Sequence, residues 1–534
     1  MNRKTFILEK HLVRCTAALF ALWSLAGCSS DENNDSGIRP IEAQKSIVIL
    51  YENDVHCAID KYTNLAGLRD AITASDTAYV GIVSSGDFLN GDVSGAMSRG
   101  QYITDIMRNV GYDAITIGNH EFDFGVPRMQ AILPRINVPV ICANLFVAGT
   151  TKPMYPTFTI KNYGKKRIGF VGVCTPQSMR SEAYSFYDKE GHLLYDLRTN
   201  DVVALVQQSV DAARNAGADY VVLLSHLGEN ASDPWIDSHK LISQTKGIDV
   251  VLDGHTHSVI PHEEVANLDG KSIGVTQTGT QFANIGKLVI TKDGKFSTSL
   301  IPIEEAKYTN QQVSATTDSI KKLMSIETDK VIGNSDFDLT INDSDGKRLV
   351  RKGETNLGDL CADAFREGVH ADIGILNSGG IRNGIPAGTI TFGKVYGVLP
   401  FYNLTCKIEV TGKVIEDFLK VCTDAYPKED GAFPQIAGLK YTLHAVSHTI
   451  TDVQVQNSQT GKYEPIEANR KYTIGTLDYY SSGGFHDTLK QATLLEMTEE
   501  QACNTLARHI KDFLGGNIPD TYRESQNRIT IIND

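Results

Sequence analysis

The chain is 534 residues long and carries 51 basic and 64 acidic residues, a formal net charge of −13. It is too long for one ordinary domain, so about two to four are expected. With 41% hydrophobic and 22% charged residues it has a globular composition, and its acidic balance argues against a general nucleic-acid binder, which needs a basic footprint.

The first segment in chain order is a processing signal. Scattered Lys and Arg precede the apolar run Cys15 to Ser24 and then Leu25-Ala26-Gly27-Cys28. The run is short for a membrane span and is flanked by small residues. Leu25 to Cys28 resembles a bacterial lipobox, which implies a signal peptide over 1–27 and a lipidated Cys28 that anchors the chain to a membrane. A polar tether over 28–45 follows. The protein is then expected in the cell envelope, on the outer membrane or cell surface, with a periplasm-facing arrangement also open. Removing the four basic residues and one acid ahead of Cys28 takes the charge to −16. With Cys28 lipidated, seven cysteines remain, so at least one is unpaired. Cys142 and Cys174 lie in apolar runs and read as buried thiols; Cys361 falls on a helix.

From Ser46 to about residue 305, short apolar strands alternate with helical stretches, which predicts an α/β layered domain. The strands are Ile47 to Leu50, Val80 to Val83, Ala114 to Ile117, Val138 to Ala143, Ile168 to Val171, Tyr220 to Leu224 and Val250 to Leu252. Pro139 makes a central position for the Val138 run unfavourable. Val202 to Ala216 is helical. Residues 306–333 form a connecting segment, with a polar helix from Gln311 to Thr328. A second α/β pattern occupies 334–534. Its helices are Asn356 to Glu367, capped by Asn356, Gly412 to Val421 and Glu499 to Leu514; its strands include Ile373 to Leu376 and Arg528 to Ile532.

Five short blocks in the first domain each follow an apolar strand. They are Asn53-Asp54-Val55-His56, Gly86-Asp87, Gly118-Asn119-His120-Glu121 with Asp123, the single His226, and Gly254-His255-Thr256-His257. Residues two apart at a strand end point to one side, so Asp54 and His56 can share a metal. Ligands at the strand ends of an open α/β sheet converge on one crevice. Carboxylate, imidazole and one amide oxygen suit Zn2+, Mn2+ or similar ions. Two such ions about 3.5–4 Å apart can hold a phosphate and generate hydroxide. One block alone is ordinary loop chemistry; five in order point to a metal site.

These blocks resemble those of the calcineurin-like metallophosphoesterases, and specifically the bacterial 5′-nucleotidase family, from about residue 46 to near the C-terminus. The resemblance implies two divalent metal ions, Zn2+ or Mn2+, bridged by Asp87. One site would use Asp54, His56, Asp87 and His257, the other Asp87, Asn119, His226 and His255. His120 and Asp123 match the family's catalytic pair, with Asp123 orienting the His120 imidazole. The implied architecture is a layered metallophosphoesterase domain joined by a connecting helix to a second α/β, substrate-binding domain.

In that second domain, Arg351, Asn377 and Arg382 match positions that hold phosphate and base. Phe401 and Tyr479 match the aromatic walls that stack on the base. Alone, these would read as a helix cap, a turn and core aromatics. The family commonly has an acid directly after its paired glycines, where it contacts the ribose. Here Gly483-Gly484 are followed by Phe485, with Asp487 two residues on.

The implied reaction is hydrolysis of nucleoside 5′-monophosphates to nucleoside and phosphate by a two-metal-activated water. A nucleotide-sugar or 2′,3′-cyclic-nucleotide phosphoesterase is one alternative, and a non-catalytic nucleotide-binding surface lipoprotein is another. No polynucleotide partner is expected.

Overall fold

The computed structural model describes residues 45–188, 191–229, 235–481 and 487–534, with backbone alone at Ser481, Asp487 and Glu499. The expected signal peptide, Cys28, the expected tether up to residue 44 and Phe485 lie outside these residues, as does the Asp487 side chain.

The N-terminal half is built on two sheets. In the first, the order is Phe296–Pro302, Asn284–Ile290, Ser46–Glu52, Ala78–Ser84, Ala114–Ile115. In the second it is Val259–Ala266, Ser272–Thr278, Val250–Leu252, Tyr220–His226, Lys166–Cys174, Phe158–Tyr163. Ser46–Glu52, Ala78–Ser84 and Ala114–Ile115 run parallel, as do Lys166–Cys174, Tyr220–His226, Val250–Leu252 and Ser272–Thr278.

Strand periodicity sorts the side chains into layers. Ile47, Ile49 and Tyr51 pack between the sheets against Phe170, Val222, Leu224 and Leu252. Val48 and Leu50 face the other way, onto Leu65, Ile103, Ile106 and Met107 of the helices Tyr62–Ser75 and Gln101–Val110. On the second sheet, Val221 and Leu223 face Val206 and Val210 of the helix Val202–Asn215. The order is therefore helix, sheet, sheet, helix. Strands buried on both faces explain the unbroken apolar runs. Each fully buried Ile, Leu or Val contributes about 1.5–3 kcal/mol.

The helix Gln311–Thr328 begins where the Asn310 side chain accepts the Val313 N–H. It buries Val313, Thr317 and Ile320 and packs on Tyr62–Ser75, Gln101–Val110 and the helix Phe392–Val398. The strand Val331–Ser335 follows and pairs with Gly388–Thr391. The C-terminal half has a five-stranded sheet in the order Pro434–Ala437, Ile373–Asn377, Lys471–Leu477, Leu404–Thr411, Thr493–Gln501. Leu376 faces the helix Asn356–Gly368, whereas Ile373 and Ile375 face the helix Gly412–Thr423.

Several elements differ from the sequence reading. The Val138 run makes only an isolated bridge, Val140 to Ile115; Pro139 has no N–H to give a ladder. The preceding strand stops at Ile115. The cap of Asn356–Gly368 is Thr355, whose hydroxyl accepts the Gly358 N–H. Asn356 is instead the first helical residue, and its amide donates to the Asp338 and Tyr522 carbonyls. Residues 499–501 are strand, paired with Leu404–Thr411, and the helix begins at Ala502.

Among the described residues, all seven cysteines (57, 142, 174, 361, 406, 422 and 503) are buried, and none forms a disulfide. No helix there is long and apolar enough to cross a membrane.

Candidate metal centre and substrate cavity

Parallel strands end together, so the loops after them share one edge. Those loops bring Asp54, His56, Asp87, Asn119, His226, His255 and His257 to one place. His257 Nε2 lies 3.3 Å and His226 Nε2 3.8 Å from Asp54 Oδ1. His226 Nε2 is 3.1 Å from Asp87 Oδ2. His56 Nε2 is 3.9 Å from a carboxylate oxygen of each acid and 3.0 Å from His257 Nε2. Asn119 Oδ1 lies 3.0 Å from His255 Nδ1.

Outer partners aim these atoms. His226 Nδ1–H donates to the Ser85 carbonyl at 2.7 Å and His56 Nδ1–H to the Asn90 carbonyl at 3.0 Å. Each Nε2 is thereby left as a lone-pair donor, the arrangement metal-binding imidazoles use. His255 Nε2–H donates to Gln177 Oε1, leaving Nδ1 beside the Asn119 oxygen. Asp54 Oδ1 and His226 Nε2 are buried with no hydrogen-bond partner. Buried carboxylate and imidazole groups crowded in this way are unfavourable alone and fit divalent cations.

The electrostatics follow from this crowding. Burial opposes ionisation of Asp54 and Asp87, yet His226 and its neighbours hold both carboxyls below the usual range. Burial likewise opposes charging His226, but Asp87 and Asp54 push its imidazole up to about 10. Burial and His226 push His255 down to about 4.

The backbone is strained where the ligands sit. Asp54, His56, Asp87, His255 and His257 have φ of 52°, 46°, 61°, 85° and 59°, a region that non-glycine residues rarely enter and that persists only when surroundings enforce it. Gly118 is required for close approach: a Cβ there would meet Asp87 Oδ1 at 2.2 Å and His226 Nε2 at 2.6 Å.

Glu121 was within the sequence motif but without a role. It is fully buried and accepts the N–H groups of Gly118, Asp87, Phe88 and Leu89 at 2.6 to 3.0 Å. It ties the Asp87 loop to the Asn119 loop, and burial pushes its carboxyl up to about 7.

His120 Nδ1 lies 2.8 Å from Asp123 Oδ2, which also accepts from Asn90 Nδ2 at 2.6 Å. The His120 N–H donates to Asp87 Oδ1 at 2.8 Å. Burial disfavours the imidazolium, but Asp123, Asp87 and Glu182 outweigh it and hold the His120 pKa well above its ordinary value.

A cavity of about 510 Å³ opens beside this centre. Asn119, His120, Asp123 and His255 line it from one side, and Arg351, Asn377, Arg382, Phe401 and Tyr479 from the other. All five residues singled out in the second half therefore meet the metal-facing set in one space. Arg382 lies 5.7 Å from the Phe401 ring centre. Asn377 Oδ1 is buried without a hydrogen-bond partner. The sequence reading missed Gln177, Glu182 and Tyr184, which line the cavity from two short helices, Ser178–Ser181 and Ala183–Phe186, and the turn before them.

Comparisons with known proteins bear on the fold and on the relatives of the chain. A family model described as the 5′-nucleotidase C-terminal domain matches residues 331–491, and one described as bacterial capsule synthesis protein PGA_cap matches 53–274. A trifunctional nucleotide phosphoesterase of Bacillus subtilis is 27% identical over 85% of this chain, which spans 33% of that protein's length. A 5′-nucleotidase of Vibrio parahaemolyticus is 24% identical over 89% of this chain and 90% of its own. The crystal structure of a 5′-nucleotidase precursor from Thermus thermophilus shares the fold with a TM-score of 0.70 at 22% identity, covering 92% of this chain and 100% of that one. Residues 331–491 thus match a 5′-nucleotidase C-terminal domain, and over most of its length the chain is similar to full-length 5′-nucleotidases.

Proposed function

We propose that this chain hydrolyses nucleoside 5′-monophosphates to nucleoside and phosphate, using two divalent cations, Zn2+ or Mn2+. The observation that carries the reading is the single cavity joining the metal-facing residues to Arg351, Arg382, Phe401 and Tyr479. Asp54, His56, Asp87 and His257 would hold one cation and Asp87, Asn119, His226 and His255 the other. When bound, the cations would act as Lewis acids on the phosphoryl oxygens and lower the pKa of water at the site.

The remaining roles belong to the chain's own groups. Asp123 accepts a hydrogen bond from His120 Nδ1–H, which favours the charged imidazole and leaves its Nε2–H for a substrate oxygen. Arg351 and Arg382 present planar, permanently charged forks suited to phosphate. Phe401 and Tyr479 offer ring faces to a base, a contact tolerant of base identity. Asn377 Oδ1 offers an acceptor to a base N–H.

Residues 46–305 would act as the metallophosphoesterase domain, 306–333 as the connector and 334–534 as the nucleotide-binding domain. The Leu25 to Cys28 stretch supports attachment to a membrane through a lipidated Cys28 and a place in the cell envelope. A Cys28→Ser variant that stays with the membrane fraction would count against that anchor. A wider range, including nucleotide sugars or 2′,3′-cyclic nucleotides, is favoured by Phe485 following Gly483-Gly484.

The test is phosphate release from AMP by the chain beginning after Cys28, with Mn2+ or Zn2+, beside Asp87→Ala. Release that stops on chelation, returns with metal and disappears in the variant is the expected result. Two bound metals with no hydrolysis of any phosphate ester would overturn the reading in favour of a binding protein.

A further inference from the structure

Among the described residues lining the cavity, two carry a carboxyl, Asp123 and Glu182. Asp123 Oδ2 is committed to His120 and Asn90. Glu182 is 5% exposed. Its Oε1 accepts from Asn119 Nδ2 at 3.2 Å and its Oε2 from the Ser181 hydroxyl at 2.6 Å. In either protonation state a carboxyl has acceptor capacity beyond two such bonds.

The position of this group is specific. Its carboxyl oxygen lies within 4.8 Å of ligand atoms of His120 and Asp123, at the phosphate end. Tyr479, at the aromatic end, lines the same cavity. Arg351 and Arg382 line it too, so the wall has cations suited to phosphate and rings suited to a base. In a nucleoside 5′-phosphate the part between phosphate and base is the sugar, whose hydroxyls are donors.

We propose that Glu182 accepts hydrogen bonds from the sugar hydroxyls of the bound nucleotide and sets a preference for ribose over hydroxyl-free sugars. The inference rests on the nucleotide reading of the cavity. Leaving a buried acceptor without its hydrogen bond costs about 1–3 kcal/mol, a discrimination of about 5- to 100-fold.

The experiment compares kcat/KM for AMP and 2′,3′-dideoxy-AMP in the wild type, Glu182→Gln and Glu182→Asp. Binding of adenosine and 2′,3′-dideoxyadenosine is measured by calorimetry in the same proteins. The wild type is expected to prefer the ribose compound about 5- to 100-fold in both readouts. Glu182→Gln should shrink that ratio to a few-fold, chiefly through KM, and Glu182→Asp should recover part of it. Equal treatment of the two sugars by the wild type overturns the proposal without any variant. An undiminished ratio in Glu182→Gln with a lower kcat also overturns it and leaves Glu182 as a positioning residue for Asn119. Absent AMP turnover with a retained nucleoside preference would defeat the hydrolase reading while supporting this one.

Discussion

The two walls of the cavity are built on opposite plans. The metal-facing wall comes from strand ends of two packed sheets, and Asp54, Asp87 and His226 are at most 1% exposed. Several groups there have a second partner that fixes them, such as Ser85 behind His226 or Asn90 behind His56. The facing wall presents Arg351, Arg382, Phe401 and Tyr479 from loops and helix ends, and none of the four is fully buried. A buried, over-determined wall has one working arrangement; a half-exposed wall tolerates change. Chemistry should therefore be brittle on the first and substrate range adjustable on the second.

The largest expected break is on the first wall. His120→Ala should lower kcat by about 10²–10⁴ with little change in KM, since proton transfer and charge stabilisation act in the transition state. A rise in KM alone would move His120 to the binding wall.

Glu121 touches no substrate, yet the contrast predicts a strong effect. Glu121→Gln replaces one of two acceptor oxygens, each facing two N–H groups, with a donor. It should cost about 1–3 kcal/mol of stability and weaken metal affinity about 10- to 100-fold, read by denaturation and calorimetry. Wild-type metal affinity in this variant would mean that the two loops hold themselves.

The facing wall should respond more mildly. Phe401 is partly exposed, so Phe401→Ala should raise KM for AMP about 5-fold, the low end of base stacking, with kcat nearly unchanged. A fall in kcat of tenfold or more would show that base stacking is coupled to the chemistry.

The smallest effect lies outside both walls and serves as their control. Burial pushes His509 down to about 4, and its ring stacks on Phe513. Its folded pKa is below the unfolded value, so the unfolded chain binds the proton more readily. Its stability contribution is full above about pH 6.5 and is lost as pH falls toward 4. The wild type should lose more stability than His509→Phe over that window in thermal melts, with metal affinity unaffected.

The metal-facing wall was the more legible in sequence, for a physical reason. Asp54, Asp87, Asn119, His226 and His255 each close an apolar strand, so periodicity alone puts them at one edge. Glu121 sat inside a motif, but its task depends on four backbone N–H groups, which sequence does not label. Glu182 and Gln177 carry no period and reach the cavity only because the strand Lys166–Cys174 delivers its following turn there. Asn356 looked like a cap because caps are read from residue type. The true cap, Thr355, precedes it and is equally well suited. The strand Thr449–Gln456 is largely exposed on one face and left no apolar run to detect. Phe401 and Tyr479 were placed by resemblance, since aromatic residues alone do not distinguish a wall from a core.

The seven buried thiols have a use beyond packing. Three stand in the N-terminal half and four in the C-terminal half, and burial raises the pKa of Cys57, Cys142, Cys174, Cys361, Cys422 and Cys503. A thiol that is both hidden and protonated is inert to alkylating reagents until its surroundings open. The native chain should thus be silent toward such reagents, and each adduct formed under rising denaturant would timestamp the opening of its own neighbourhood. Peptide mapping of those adducts would reveal which half comes apart first, with no label engineered into either.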